Sequence, residues 1–310
     1  MEITIKKRTL LIAIIALVIL LALMFFLFFY KPASIYQFKD DTFYYSQNRG
    51  TPEYNISLNR SDDTLEVYNI RFKSRNFMNY ETVIYGLLFK PKLASESSNS
   101  DVPGLVLLPG GAVTKESEGI LAEKIVKLGY AVLTIDQRGV GQTGGYYLGL
   151  EQDYSIFANG DEPIQHLSVY DGLASTDVLR DLKGIDKNNI AIAGESMGGR
   201  YAIIAAVQDK RLKGALIISS AGFGFEKTGK LYDSYLISVD PDHYIDKIPP
   251  NKLFMLHGSN DSTVNISEAE RTFSLAKEPK RFFTAEGCPH GYCDGMYDEL
   301  VTDLKMMFEE

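Results

Sequence analysis

Cysteine is scarce. Only Cys288 and Cys293 occur in 310 residues, too few for a disulfide scaffold and without the spacing of a metal site. A basic face is also missing. The formal net charge of -8 argues against a nucleic-acid partner, because phosphate binding rests on clustered lysine and arginine. Histidine is nearly as rare as cysteine, with four in the chain, so the search for a catalytic base is short. No internal repeat is visible. Hydrophobic residues at 45% and charged residues at 23% show no bias away from an ordinary globular protein. The length suits one α/β domain and a segment outside its core.

One long apolar run is present, at the start. Residues 1–9 carry Lys6, Lys7 and Arg8, and residues 10–30 then run without charge or proline. At about 1.5 Å per residue this run can cross a hydrocarbon core of about 30 Å. A signal peptide would have a shorter apolar region and a small-residue cleavage site, which Lys31-Pro32-Ala33-Ser34 matches poorly. A core helix would show a polar face, and Phe25, Phe26, Phe28 and Phe29 leave none. The expectation is a cytoplasmic tail (1–9) and a single uncleaved membrane anchor (10–30). The positive-inside rule puts everything after Lys31 outside the cytoplasm. Residues 31–63, rich in tyrosine, asparagine and charge, read as a stalk or as a peripheral layer.

From Thr64 the pattern turns to strands. Residues 64–72 alternate at period two, and Glu81 to Lys90 form a second strand ended by Pro91. Strands then alternate with helices. Strands are expected at 105–108, 131–135, 190–193, 215–219, 253–256 and 281–284. Helices are expected at 117–128, 163–182, after the 190–193 strand, and at 267–276 and 296–308. This alternation marks an α/β domain over 64–310, with a mostly parallel sheet covered on both faces. In such sheets ligands bind at the carboxyl ends of the strands.

The sharpest motif is Gly194-Glu195-Ser196-Met197-Gly198, between the apolar run Ile190 to Ala193 and the helix former Tyr201 to Val207. A strand that turns at once into a helix needs a tight corner with little side chain two places away. Gly194 and Gly198 supply that room, and Ser196 sits at the tip beside the first N–H groups of the helix.

A serine hydroxyl needs a base to take its proton and a third group to orient that base. Downstream, Leu256-His257-Gly258-Ser259-Asn260-Asp261-Ser262-Thr263-Val264 ends a strand in His-Gly with an acid three residues on. Further on, Cys288-Pro289-His290-Gly291-Tyr292-Cys293 is a loop between the last strand and the last helix. The order Ser196, Asp261, His290 is the order of one superfamily's triad. His257 belongs to the strand-end turn, and His166 and His243 follow no expected strand end.

On these residues the chain resembles the α/β-hydrolase superfamily, in its esterase-like and prolyl-oligopeptidase-like branches. The resemblance covers about 64–310. It implies Ser196 as nucleophile, His290 as base and Asp261 as the acid that orients it, with Met197 N–H as one oxyanion donor. The second donor would come from Pro109-Gly110-Gly111-Ala112, with Gly111 favoured and Ala112 possible. Pro109 stands where the family commonly has histidine, and Asn265 where a proline often follows the acid loop's valine. Asp136-Gln137-Arg138-Gly139-Val140-Gly141-Gln142-Thr143 matches a further hydrolase signature, with Asp136 and Arg138 read here as scaffold pairing that shapes the turn above the site.

The aromatics Tyr146, Tyr147, Tyr154 and Phe157, in the loop 144–167, are expected either to wall a substrate pocket or to form a small packed surface element. Outside the cell, Cys288 and Cys293 would bridge across the histidine loop; in a reducing compartment they would stay thiols. No metal or organic cofactor is implied. The function expected is a membrane-anchored serine hydrolase acting on carboxylic esters of small molecules. The alternatives are a small serine aminopeptidase acting on short peptides, and a non-catalytic surface-binding protein on the same fold.

Overall fold

The computed structural model describes residues 10, 12–20, 24, 35–92 and 101–309. The expected tail and ten of the 21 residues of the expected anchor lie outside these. Positions 10, 12–20 and 24 are helical and exposed. Among the described residues no helix is long and apolar enough to cross a membrane.

A nine-stranded sheet forms the body. It contains β3 (Tyr54–Ser61), β4 (Leu65–Phe77), β5 (Tyr80–Pro91), β6 (Val102–Leu108), β7 (Ala131–Ile135), β8 (Ile185–Glu195), β9 (Gly214–Ile218), β10 (Lys252–Gly258) and β11 (Lys280–Ala285). The spatial order is β11-β10-β9-β8-β6-β7-β5-β4-β3. β3, β4 and β5 pair antiparallel, as do β5 and β7; every pairing from β7 through β11 is parallel. The parallel strands are joined by helices, so the sheet is covered on two faces. β6 shows the consequence: Val106 and Leu108 enter one core, and Leu105 and Leu107 enter the other. Successive strand side chains point to opposite faces, which is why this strand reads as a continuous apolar run.

One face is covered by α1 (Gly119–Val126) and α7 (Tyr297–Phe308), through Leu121, Ile125, Leu300 and Leu304. The other is covered by α3 (Ile164–Asp181), α4 (Met197–Gln208) and α6 (Ile266–Leu275). α2 (Leu150–Ala158) lies in the loop expected at 144–167, and α5 (Tyr232–Val239) lies between β9 and β10.

The sheet begins before residue 64. β3 pairs with β4 from Tyr54 to Ser61, so the domain boundary expected at 64 falls beyond the edge strand. Ahead of it, β1 (Tyr36–Lys39) and β2 (Thr42–Tyr45) form a hairpin. Its turn residues Asp40 and Asp41 both take positive φ, 51° and 56°, as the favoured two-residue hairpin turn requires. The hairpin lies on α3. Phe43 stacks on His166 with centroids 3.8 Å apart, Tyr36 Oη meets His166 Nδ1 at 3.0 Å, and Gln208 accepts Tyr45 N–H at 2.9 Å. Arg49 adds ion pairs to Asp177 at 2.6 Å and Asp209 at 2.7 Å. Residues 36–61 are therefore part of the folded body. Phe43→Ala should destabilise the protein by about 3–5 kcal/mol, since the ring is fully buried. That corresponds to a Tm fall of roughly 6–20 °C, and calorimetry showing no fall would contradict this packing role.

Candidate active site

The turn from β8 to α4 is as tight as its sequence implies. Ser196 stands at φ 52°, ψ -116°, a region that L residues enter at a cost. A Cβ on Gly194 would lie 2.3 Å from the Gly198 carbonyl carbon, and one on Gly198 would lie 2.2 Å from the Leu108 carbonyl oxygen. Each glycine is thus required by contact with backbone. The corner is clamped from β9: Ser196 N–H donates to Ile218 O at 2.9 Å, and Ser220 Oγ donates to Ser196 O at 2.6 Å. Ser196 stays partly exposed at the carboxyl end of the sheet.

Asp261 lies in the loop after β10. Its Oδ1 accepts the N–H groups of Thr263 and Val264, each at 2.9 Å, and its Oδ2 accepts His290 Nδ1 at 2.8 Å. Burial pushes the Asp261 pKa up, but those N–H groups and His290 outweigh it, and the net direction is below the ordinary carboxylate value. His257 packs beneath, with Nε2 2.9 Å from Val264 O.

His290 is carried by a short loop tied at several points. Cys288 and Cys293 are disulfide-bonded across it. Asn260 N–H donates to Cys288 O at 3.0 Å, and Ser219 Oγ to Gly291 O at 3.3 Å. Tyr292 N–H donates to Glu195 Oε2 at 2.9 Å. This last bond seats the histidine loop on the residue before Ser196. Ser196 Oγ and the His290 ring are not in hydrogen-bond geometry here; catalytic bonds of this kind often tighten only around substrate.

The Pro109–Ala112 loop abuts the same corner. A Cβ on Gly110 would lie 3.6 Å from Ser196 Cβ, and one on Gly111 would lie 3.0 Å from Met197 Cε. Met197 begins α4, where N–H groups have no partner within the helix. Gly110 thus lies against Ser196, and Gly111 against the Met197 side chain.

With that arrangement in view, the similarities to known proteins can be read. Residues 104–239 match the family described as serine aminopeptidase, S33 (Hydrolase_4). The uncharacterized protein YcjY of Escherichia coli K12 is 27% identical over 163 residues, which is 52% of this chain and 45% of that protein. The 2,6-dihydropseudooxynicotine hydrolase of Paenarthrobacter nicotinovorans is 24% identical over 221 residues, 71% of this chain and 51% of that one. The chain covers 45–65% of the length of the first curated relatives it matches. Among solved structures, the acetyl xylan esterase of Paenibacillus sp. R4 superposes with a TM-score of 0.67 at 18% identity, covering 84% of this chain and 90% of that one.

The chain has the α/β-hydrolase fold.

Further contacts support this candidate site. Gln137 Nε2 donates to Pro109 O at 2.7 Å and so holds the Pro109–Ala112 loop. Asp136 and Arg138 are scaffold, but not with each other. Asp136 accepts from Lys115 Nζ at 2.9 Å, and Arg138 donates to Asp171 at 2.7 Å and 2.8 Å. The aromatic loop divides in two. Tyr147 reaches the site, with its Oη 3.8 Å from Met197 Sδ. Tyr154 and Phe157 instead pack on Tyr232, Tyr235 and Phe38, and Tyr146 packs on Phe77 beside a separate cleft of about 480 Å³.

Glu118 is the least expected member. It is almost fully buried, and the Gly110 N–H turns towards it. Burial pushes its carboxyl up to about 8; Glu195 adds to the rise, and the Ser117 hydroxyl and Gly110 N–H oppose it. A raised carboxyl pKa means the folded protein keeps a proton that the unfolded chain has lost. Stability should then fall as pH rises from the ordinary value of 4.5 to about 8, and level off above. Glu118→Gln removes that slope. Its Tm should gain on wild type across this window, by up to about 1.4 kcal/mol in stability per pH unit. A difference constant with pH would reject the assignment.

Proposed function

We propose that the chain is a serine hydrolase that cleaves carboxylic esters of small molecules through an acyl-enzyme on Ser196. The observation that carries this reading is the 2.8 Å bond from His290 to Asp261, made on a loop seated against Glu195. Ser196 Oγ attacks the ester carbonyl and gives its proton to His290 Nε2. Nδ1–H stays on Asp261, which keeps the ring in the needed tautomer and stabilises its positive charge. The tetrahedral oxyanion is taken up by the N–H groups of Met197 and Gly111. Collapse breaks the ester C–O bond, and His290 protonates the departing alcohol. Water then attacks the acyl carbonyl, loses a proton to His290, and releases the acid and Ser196.

The family description favours a second reading, a serine aminopeptidase. Such an enzyme must hold a free ammonium near the scissile bond. Glu195 and Glu118, the acids beside the corner, are instead engaged by the Tyr292 and Gly110 N–H groups, which supports the ester reading. Paired assays on acyl esters and aminoacyl anilides separate the two.

The proposal includes residues 10–30 as an anchor, with the catalytic domain on the extracytoplasmic side. The uncharged apolar run supports it, as does the Cys288–Cys293 bridge, a feature of oxidising compartments. Full-length protein should stay with membranes through alkaline carbonate washing, and a chain starting at residue 35 should not. Release of the full-length protein would remove the anchor.

Ser196→Ala should abolish hydrolysis of p-nitrophenyl esters with the circular dichroism spectrum unchanged. Asp261→Asn should lower kcat by about 10⁴-fold, because it favours the wrong tautomer of the base. Undiminished turnover in Ser196→Ala would sink the proposal.

A further inference from the structure

Arg200 lies one helical turn after Ser196, and its N–H faces Ser196 O at 3.4 Å. The guanidinium is held in place by the loop that also clamps the nucleophile. Nε donates to Ala221 O at 2.9 Å, next to the Ser220 that bonds Ser196 O. The guanidinium carbon sits 3.9 Å from the Phe223 ring centroid, and Phe223 stacks on Phe225 at 4.9 Å. On the oxyanion side, Tyr147 is close enough for the guanidinium charge to act on its phenol.

What sets Arg200 apart is the lack of a counter-ion. The other buried or half-buried arginines among the described residues each have a carboxylate within ion-pair distance: Arg49, Arg75, Arg138, Arg180 and Arg281. Arg200 has none, and its terminal nitrogens donate to no protein atom among the described residues. Nor are those nitrogens sealed off, since they are absent from the buried unsatisfied atoms. Asp240, Asp242 and Glu268 influence its charge, but each is used elsewhere. Asp240 accepts the Phe223 and Phe225 N–H groups, Asp242 pairs with Arg271, and Glu268 accepts Asn265 N–H. A half-buried cation without a partner is destabilising. A guanidinium stacked on a ring keeps its plane fixed, with its donor fork ready for a carboxylate.

We propose that Arg200 binds a carboxylate carried by the substrate, so that the enzyme prefers esters whose acyl or alcohol part bears a carboxylate beside the scissile bond. This rests on the serine-hydrolase reading. The rise of about 6 Å over four helical residues keeps the carboxylate close to the scissile bond, roughly two to five atoms from the carbonyl.

The test compares matched charged and neutral esters. Mono-p-nitrophenyl succinate is set against its methyl ester for the acyl side, and 4-acetoxybenzoate against its methyl ester for the alcohol side. In Arg200→Met, kcat/KM for the charged member of one pair should fall roughly 10–100-fold more than for the neutral member, the range for losing charge-assisted hydrogen bonds. Arg200→Lys should recover part of that preference. A role confined to bracing the Ala221 loop would lower charged and neutral substrates together, and that outcome overturns the proposal.

A second measurement does not need turnover. Calorimetric titration of Ser196→Ala with monoethyl succinate and with 4-acetoxybenzoate should show, for one of them, binding that weakens by a similar factor when Arg200→Met is added. No binding of either, or equal binding with and without Arg200, overturns the carboxylate site. If wild type turns over no ester while Arg200-dependent binding persists, the ester chemistry fails and the anion site stands.

Discussion

Ser196 holds a backbone conformation that costs on the order of 1–3 kcal/mol, and much of the surrounding structure is disposed to keep it there. Gly194 and Gly198 let β8, β6 and α4 approach to distances at which any Cβ would overlap backbone. The N–H and C=O of Ser196 are both held from the β9 end. The sheet therefore does more than carry the serine. Its two strands flanking β8 set the corner from opposite sides, β6 through the Leu108 carbonyl and β9 through Ile218 and Ser220. The hydroxyl is raised at the strand ends because the backbone beneath it has no other room.

The other parts of the site come from loops far apart in the chain, and hydrogen bonds with acidic and amide side chains locate them. Glu195 takes the Tyr292 N–H and so fixes the histidine loop against the corner. Glu118 lies beneath Gly110 and Gln137 binds Pro109 O, so the Pro109–Ala112 loop is held from below and from the side. Asp261 has one oxygen for its own turn and the other for His290. An acid bound to backbone N–H groups cannot swing with the ring it orients. The result is preorganisation: each loop is positioned by contacts outside the reacting atoms.

How much of this the sequence shows depends on whether the information is local. The corner at Ser196 is local, since its glycines and its strand and helix neighbours lie within a dozen residues. The same holds for the core strands, whose apolar runs reflect burial on both faces. The acid and histidine loops are recognisable because each follows a strand and carries a distinctive residue. What escapes is context. β3 is an edge strand with almost every side chain exposed, so no alternation marks it. The β1–β2 hairpin shows as scattered tyrosine and phenylalanine, because its partner α3 lies more than a hundred residues away. Glu118 looks like an ordinary acid before a helix; only the packing reveals that it is buried. Arg200 likewise reads as a helix-surface arginine, and its missing counter-ion is visible only in three dimensions.

The Cys288–Cys293 bridge fits the same division between local and global effects. Closing so short a loop removes little freedom from the unfolded chain, about 2 kcal/mol in the chain-entropy treatment. Against the burial of two full cores this is a small share of what holds the fold. Its effect falls instead on the segment it encloses, Pro289 to Tyr292, which carries His290. Both ends of that segment are also bonded, Cys288 O to Asn260 and Tyr292 N–H to Glu195. The bridge joins the acid-loop contact to the nucleophile contact across five residues. A loop pinned in this way can present the His290 ring to Asp261 with little conformational freedom of its own. That matters because proton transfer depends steeply on the placement of the base.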